Sequence, residues 1–251
     1  MHGTRKGNPM SDQKRSNLFV RGLSDGIPIA LGYLSVSFGF GISAVNKGLS
    51  PLAAVLISLT NLTSAGQVAG LEVIIALGTL WEMALTQLTI NLRYFLMSLS
   101  LSQKLDKSFT LSHRLLVSFG ITDEIFGVAS SKKERLVPIY MYGLILLPFI
   151  GWSLGTLLGA VAGNILPDSI KYALGIAIYG MFVAIVVPPA KRDRGVLVAA
   201  LIGIAISCAI TYIPLLDFIT PGFAIILSAL IAAAVAAWLF PIKEEEEDDD
   251  K

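Results

Sequence analysis

Residues that can bind a small charged molecule occur at three places in this chain, the first being the polar run from Thr60 to Gln67. Its Asn61, Ser64 and Gln67 side chains can form hydrogen bonds, and Gly66 gives the backbone freedom to break a helix. A broken helix offers unpaired N–H groups at one end and unpaired C=O groups at the other. We predict that this break binds the carboxylate and ammonium of an amino acid. The alternative is that these polar groups only satisfy one another in a helix interface.

Asn91 and Arg93 form the second place, on an apolar run from about Leu80 to Leu101. An arginine keeps its positive charge in proteins, and its planar group can bind a carboxylate through two N–H groups. We therefore predict that both residues contact a substrate, with Glu72 or Glu82 as an internal counter-ion. The alternative is an arginine whose side chain extends to the cytoplasmic membrane interface.

Asp123 and Glu124 form the third place, where two adjacent acids follow a short apolar stretch. Close like charges favour neutralisation of one acid, so either residue could carry a proton. Pairing with Arg93 is the other role considered, and a solvated loop or helix cap is the alternative to both. We predict that Asp123 and Glu124 couple transport to protons.

These residues must be positioned by membrane helices. The 251-residue chain is 54% hydrophobic and only 15% charged, whereas soluble domains carry about 25% charged residues. Its apolar runs have about the 20 residues that cross a bilayer. The sequence predicts an all-α, polytopic integral membrane bundle with about six full spans and one broken or re-entrant segment. The full spans are predicted at about 27–45, 80–101, 136–162, 169–189, 195–213 and 221–240, and the broken segment at about 51–78.

The positions of lysine and arginine indicate how the chain is threaded, because these residues accumulate on the cytoplasmic side. They cluster before residue 22, within 102–135 and within 190–195. All clusters fall on one side only if 51–78 enters the membrane and returns. We therefore predict a re-entrant segment and cytoplasmic termini; the alternative is a kinked full span. The predicted divisions are a basic segment at 1–20, a transmembrane domain at 21–240 and an acidic tail at 241–251.

A stripe of glycines lies within the predicted span at 136–162 and just beyond it. A spacing of four residues places these glycines on one face of a helix, which lets another helix approach closely. The pattern predicts helix packing, within the chain or with a partner, and carries no chemistry. The glycines are Gly151, Gly155, Gly159 and Gly163.

The composition argues against several other functions. A net charge of +1 gives no indication of nucleic-acid binding. One cysteine and two histidines argue against a metal site built from these residues. Nucleophile-elbow, phosphate-loop and zinc-protease motifs are missing. We predict no cofactor and no enzymatic activity. Two alternatives to a transporter stay open: a structural or regulatory membrane subunit, and a membrane-embedded enzyme.

Four motifs together resemble the AzlC family over roughly residues 21–212. Tyr94 and Val68 depart from this pattern, since the wider family commonly has His and Phe there. The motifs are Gly26–Tyr33, Thr60–Gln67, Ile90–Leu101 and Thr122–Phe126.

The resemblance implies a two-component exporter in the cell membrane. AzlC proteins are the large subunits of branched-chain amino-acid exporters, so the expected substrates are leucine, isoleucine and valine. The expected partner is a small hydrophobic AzlD-type subunit, and the expected driving force is the proton gradient.

Overall fold

The structure, a computed structural model, describes residues 12–162, 167 and 177–241. Regular structure in these ranges is helical, apart from one isolated bridge between Leu105 and Leu136. The predicted all-α class is therefore confirmed. The α-helices are α1 (Asp12–Asn46), α2 (Pro51–Thr60), α3 (Ser64–Ile75), α4 (Leu80–Ser102), α5 (Leu111–Phe119), α6 (Asp123–Ser131), α7 (Pro138–Ala162), α8 (Ala177–Arg192), α9 (Arg194–Tyr212) and α10 (Pro221–Leu239).

Four of the described helices are long and apolar enough to cross a membrane: Ser16–Asn46 within α1, and α7, α9 and α10. α4 has 23 residues, which is also enough for a crossing, but its acid, arginine and amides make it more polar. The span predicted at about 169–189 lies partly outside the described residues, and α8 contains its second half. The broken segment predicted at 51–78 is present as α2 and α3, which residues 61–63 separate.

The chain divides into two compact units. The first comprises Met1–Ser64 and Leu92–Gly175, and its described helices are α1, α2, the second part of α4, and α5 to α7. The second comprises Ala65–Asn91 and Ile176–Lys251, with nearly all of α3, the first part of α4, and α8 to α10. The predicted site residues are therefore shared between two units.

Glycines let α1 and α7 approach closely in the first unit. Gly151, Gly155 and Gly159 each face a backbone carbonyl of α1, at a distance where an added Cβ would overlap it. The facing carbonyls belong, in that order, to Ala30, Leu34 and Phe38. Removing side chains from a helix face allows such close backbone packing. Gly163, the fourth glycine of the predicted stripe, lies outside the described residues.

The order of these contacts shows that α1 and α7 are parallel. Gly22 of α1 lies against Gly143 of α7, and Gly41 lies against Gly159. If both helices span the membrane, residues 47–137 between them must make an odd number of crossings. In this fully described stretch, only α4 has the length for a crossing, because α2 and α3 are about 15 and 18 Å long. On that condition the stretch that contains α2 and α3 would have to enter the membrane and return, as the sequence predicts.

α2 is held inside the first unit by polar and apolar contacts. The Ser50 hydroxyl caps the start of α2, accepting a hydrogen bond from the Ala53 N–H at 3.2 Å. Further along, Ser58 Oγ lies 2.7 Å from Thr156 Oγ1 of α7. Leu62, in the break itself, is 6% exposed and belongs to the apolar core that α1 and α7 share. The break is therefore buried in protein, where irregular backbone is tolerated at membrane depth.

In the second unit, α3 and the first part of α4 form an antiparallel pair. Gln87 Nε2 donates to the Gly66 carbonyl at 2.8 Å, and Gly70 faces Met83 one turn earlier in α4. The turn between the helices places Leu77 at a φ of 54°, in the left-handed region. Elsewhere in this unit, α9 packs against both α8 and α10.

Candidate functional site

Arg93 lies on α4, where its guanidinium group meets an acid of α6. Its Nη1 atom is 2.8 Å from Asp123 Oδ2, and both side chains are 38% exposed. Its Nη2 atom donates to the Tyr94 hydroxyl at 3.1 Å, with the guanidinium carbon 4.9 Å from the Tyr94 ring centroid. An arginine has five N–H donors, so these contacts leave donors for a further ligand. The half-exposed pair remains within reach of water and small molecules.

The start of α6 places Asp123 and Glu124 beside α4 and α1. Thr122 is the N-cap residue, and its hydroxyl accepts from the Ile125 N–H at 3.4 Å. Both acids occupy the first turn, where the helix dipole favours negative charge. Ile125 and Ala129 anchor α6 because both are completely buried. Asp123 therefore pairs with Arg93, one of the two roles considered for these acids.

Tyr33 belongs to this site, although no role was predicted for it. Its hydroxyl donates to Glu124 Oε2 at 2.5 Å and lies 2.6 Å from Thr122 Oγ1. Its ring packs edge-on against Trp152 of α7, with 5.2 Å between ring centroids. Tyr33 lies in the motif Gly26–Tyr33, which marked it as notable, but the partners lie 89 and 91 residues further along the chain. No local spacing reveals a contact of that kind.

The break between α2 and α3 connects to Arg93 through Tyr94. The Tyr94 hydroxyl donates to Thr63 Oγ1 at 3.3 Å, and Thr63 is 5% exposed. Asn61 and Ser64 flank this position and are partly buried. The first unit thus brings the break, Arg93 and Asp123 together. Thr63 was also missed, although it lies inside the polar run that the sequence singles out.

The other predicted binding residues lie in the second unit. Asn91 Nδ2 donates to Gln87 Oε1 at 3.1 Å, and Gln87 donates in turn to the Gly66 carbonyl. Gln67 is 1% exposed. Gly66, Gln67 and Asn91 therefore lie within or next to a chain of amide hydrogen bonds.

The ion-pair partner of Arg93 is Asp123, a pairing that the sequence analysis considered beside Glu72 and Glu82. Asp123 forms the ion pair, whereas Glu82 accepts hydrogen bonds from Thr220 and Gly222. Glu82 precedes Arg93 by eleven residues on α4, which is about 16 Å along a helix. The sequence could not distinguish these acids, because the approach of α6 to α4 is a tertiary contact.

The arrangement combines a fixed positive charge with an acid that can change its protonation. Burial raises the pKa of the Asp123 carboxyl above its ordinary value of 3.8, although the neighbouring Arg93 opposes the rise. A raised pKa brings protonation closer to physiological pH. Protonated Asp123 would release Arg93 for another carboxylate. Among the described residues, no group of three His, Cys, Asp or Glu could hold a metal ion.

Comparison with known proteins decides the family. The family model described as AzlC protein matches residues 28–166, which is more than half of the chain. This chain belongs to the AzlC family. The matched range contains every residue predicted to bind substrate or couple protons, from Asn61 to Glu124.

This AzlC protein is similar to membrane proteins, and the similarity covers most of each chain. It is 30% identical to the inner membrane protein YgaZ of Escherichia coli K12, over 79% of this chain and 84% of YgaZ. It is 32% identical to an uncharacterized membrane protein of Archaeoglobus fulgidus, over 91% of this chain and 99% of that protein. No solved structure matches the chain. The AzlC protein is thus a membrane protein of a transporter-type family.

Proposed function

We propose that this AzlC protein is the large subunit of a transporter that exports branched-chain or other apolar amino acids. The single observation that supports the proposal is the setting of Arg93. Its half-exposed guanidinium lies between Asp123 and Tyr94, and Tyr94 is bonded to the buried helix break at Thr63. A fixed cation beside a broken membrane helix is suited to a zwitterion, which needs one positive and one negative partner.

In the proposed site, the substrate carboxylate takes the place of Asp123 at Arg93. Asn61 and Ser64, with the carbonyls that end α2, bind the ammonium group. The apolar core next to the break, which includes Leu62 and Trp152, accommodates the aliphatic side chain. Gly66, Gln67 and Asn91 stay predicted binding residues.

Proton coupling is proposed for Asp123 and Glu124. When Asp123 is ionised it competes with the substrate carboxylate for Arg93, and when protonated it does not. Proton binding at Asp123 would therefore favour binding of the substrate carboxylate at Arg93, which couples the two ligands. Glu124 is held by the Tyr33 hydroxyl and would set the charge next to Asp123.

We propose that the protein lies in the cell membrane with both termini cytoplasmic. Residues 21–240 form the proposed transport domain, and 1–20 and 241–251 are the proposed tails.

The proposed partner is a small hydrophobic AzlD-type subunit. Support for a partner comes from α9 and α10, because only 6% and 11% of their most apolar stretches are buried by the part of the chain that the structure describes. Such helices need an apolar covering, which lipid and a small membrane subunit can provide.

The test is efflux of labelled leucine from vesicles that contain the protein and its small subunit. Arg93→Ala should reduce efflux at least tenfold, because a charge-assisted bond to a carboxylate contributes about 1.5–3 kcal/mol. Arg93→Lys should keep part of the activity, since it keeps the charge without the planar pair of donors. Arg114→Ala, which alters an exposed arginine of α5, is the control. Normal efflux by folded Arg93→Ala would reject the proposed site.

A further inference from the structure

The stretch between α4 and α7 contains two short helices, α5 and α6, whose outer ends are bonded to each other. The Asp106 N–H donates to the Leu136 carbonyl at 2.8 Å, and the Leu136 N–H donates to the Lys104 carbonyl at 2.9 Å. The Lys104 ammonium also donates to the Ser130 and Lys132 carbonyls at the end of α6. The residues before α5 and after α6 therefore form one base, next to the end of α4.

The inner ends of α5 and α6 meet at a break, residues 120–122, away from this base. Asp123, which directly follows the break, pairs with Arg93 of α4. Arg93 precedes the end of α4 at Ser102 by nine residues, which is about 14 Å along a helix. The hydrocarbon core of a bilayer is about 30 Å thick. If α4 crosses the membrane, the break therefore lies near the middle of the bilayer.

Contacts with α7 indicate the same depth independently. Near the start of α5, His113 Nδ1 lies 2.6 Å from the Tyr142 hydroxyl, four residues after the start of α7 at Pro138. At the end of α5, the Phe119 ring packs edge-on against Phe149, with 6.0 Å between ring centroids. Phe149 is eleven residues after Pro138, which is about 16 Å along α7. α5 thus extends beside α7 from near its start to its middle.

The outer face of α5 is apolar and exposed. Leu111, Leu115, Leu116 and Phe119 are all large exposed side chains, from 45% at Phe119 to 73% at Leu111. The other face of α5 packs on the protein through Val117, which is buried. Exposure of so many apolar side chains to water on one short helix is unfavourable, whereas contact with hydrocarbon is not.

The polar groups of the two helices are compatible with membrane depth. Arg114 is the fourth residue of α5, close to the base, and its long side chain can extend to the head groups. The Ser118 hydroxyl, nearer the break, donates to the Leu115 carbonyl at 2.9 Å, so it is satisfied within the helix. Ile121 and Thr122 in the break are buried. Irregular backbone is tolerated at membrane depth where protein surrounds it.

We propose that α5 and α6 form a second re-entrant segment, with the outer face of α5 in contact with the acyl chains of the lipid. Lipid is the partner because this face continues onto α7, which is long and apolar enough to cross a membrane. Ile150 of α7 follows the Phe149 that Phe119 touches, and it is 46% exposed. A segment that enters and returns adds no crossing, so the predicted path of the chain is unchanged.

The two re-entrant segments approach Arg93 from opposite sides of the membrane, because α4 crosses once between them. The break after α2 reaches Arg93 through Thr63 and Tyr94, and the break before α6 reaches it through Asp123. Broken helices that meet near the middle of the bilayer are typical of transporter binding sites. The proposal rests on the proposed function only for this role, since the depth of α5 can be measured without transport.

The experiment is electron paramagnetic resonance of spin labels on the full-length protein in lipid vesicles. Leu111→Cys, Leu115→Cys and Phe119→Cys, each in a Cys208→Ser background, carry the label. Its collision rates are measured with oxygen, which concentrates in hydrocarbon, and with a water-soluble nickel complex, which does not enter it. The ratio of oxygen to nickel collisions should increase from 111 through 115 to 119. The label at 119 should lie about 12 Å deeper than the label at 111, because eight residues of helix separate them.

Ile150→Cys is the reference for hydrocarbon, and Lys107→Cys, at an exposed position in the base, is the reference for water. Equal depths at 111 and 119 would mean that α5 lies in the plane of the membrane surface. Ratios equal to that of Lys107→Cys would mean that α5 lies in water. Low collision rates with both reagents would mean that another copy of the protein covers α5. Each of these three results overturns the proposal.

Two further outcomes keep the test decisive. If Phe119→Cys does not fold, the comparison of Leu111→Cys with Leu115→Cys decides, and the expected difference in depth is then about 6 Å. If the labels lie at the expected depths but wild-type vesicles export no amino acid, the proposed function fails while the second re-entrant segment stands.

Discussion

At the scale of the residue, the site depends on hydroxyl groups that connect helices. Tyr33 joins α1 to the start of α6, and Tyr94 joins Arg93 to the helix break. Arginine, acids and amides can be recognised in an apolar sequence because they are costly in a membrane. Tyrosine and threonine are common in such sequences, so Tyr33 and Thr63 could be assigned only once their partners were known.

Tyr33→Phe should lower stability, because it removes the donor to Glu124 in a place that is 7% exposed. The expected loss is about 1.5–3 kcal/mol, typical of a hydrogen bond to a charged group. The measurement is the unfolding temperature in detergent. Tyr212→Phe, at a position that is 79% exposed, is the matched control. Equal unfolding temperatures for the two variants would argue against a structural role of the Tyr33 hydroxyl.

Asp123→Asn should remove the pH dependence of leucine binding. Because the pKa of Asp123 is raised, acidification neutralises it at a higher pH than an ordinary carboxyl, and Arg93 becomes free to bind leucine. Wild-type affinity should therefore increase as pH falls, while the affinity of Asp123→Asn stays high throughout. Stability should change by less than about 1 kcal/mol, since the ion pair is partly exposed.

Equilibrium binding of labelled leucine to the purified protein, measured across pH, checks this expectation. Asp106→Asn is the control, because Asp106 accepts a hydrogen bond from the Ser108 N–H in the loop between α4 and α5. If Asp123→Asn kept the wild-type pH profile, Asp123 would not be the group that competes for Arg93.

At the scale of the element, the broken segment shows what sequence can and cannot predict. Its position followed from a polar run inside an apolar stretch, and its re-entry followed from the distribution of lysine and arginine. Both agree with two short helices between the parallel α1 and α7. The approach of α6 to α4 was left open, because contacts over about 30 residues depend on tertiary packing. The counter-ion of Arg93 was uncertain for the same reason.

The close packing of α1 and α7 can be tested with two glycines of one helix. Gly41→Ala should destabilise the protein by about 1–3 kcal/mol, because its Cβ would overlap the Thr156 carbonyl and force the helices apart. Gly32→Ala in the same helix has nothing within 4 Å of the added Cβ. Alanine favours helix over glycine by about 1 kcal/mol, so Gly32→Ala should be neutral or stabilising. Similar unfolding temperatures would mean that the two helices are not in close contact.

At the scale of the whole molecule, the path of the chain through the membrane determines whether the proposed site can exist. A re-entrant 51–78 leaves a buried break that can bind a substrate, whereas a full span would place 102–135 on the opposite side. If α1 and α7 both span the membrane, their parallel packing requires the first path. The basic residues in 102–135 favour it independently, because they then share a side with the N-terminal cluster.

Labelling of single cysteines in intact cells with a membrane-impermeant maleimide distinguishes the two paths. In a Cys208→Ser background, cysteines would replace the exposed residues Asn46, Ala76 and Lys107 one at a time. The re-entrant path predicts labelling at 46 and 76 and protection at 107, because only α4 crosses between the last two positions. A full span predicts labelling at 46 and 107 and protection at 76. Labelling after cell lysis shows that a protected cysteine is reactive, so protection reports the side of the membrane.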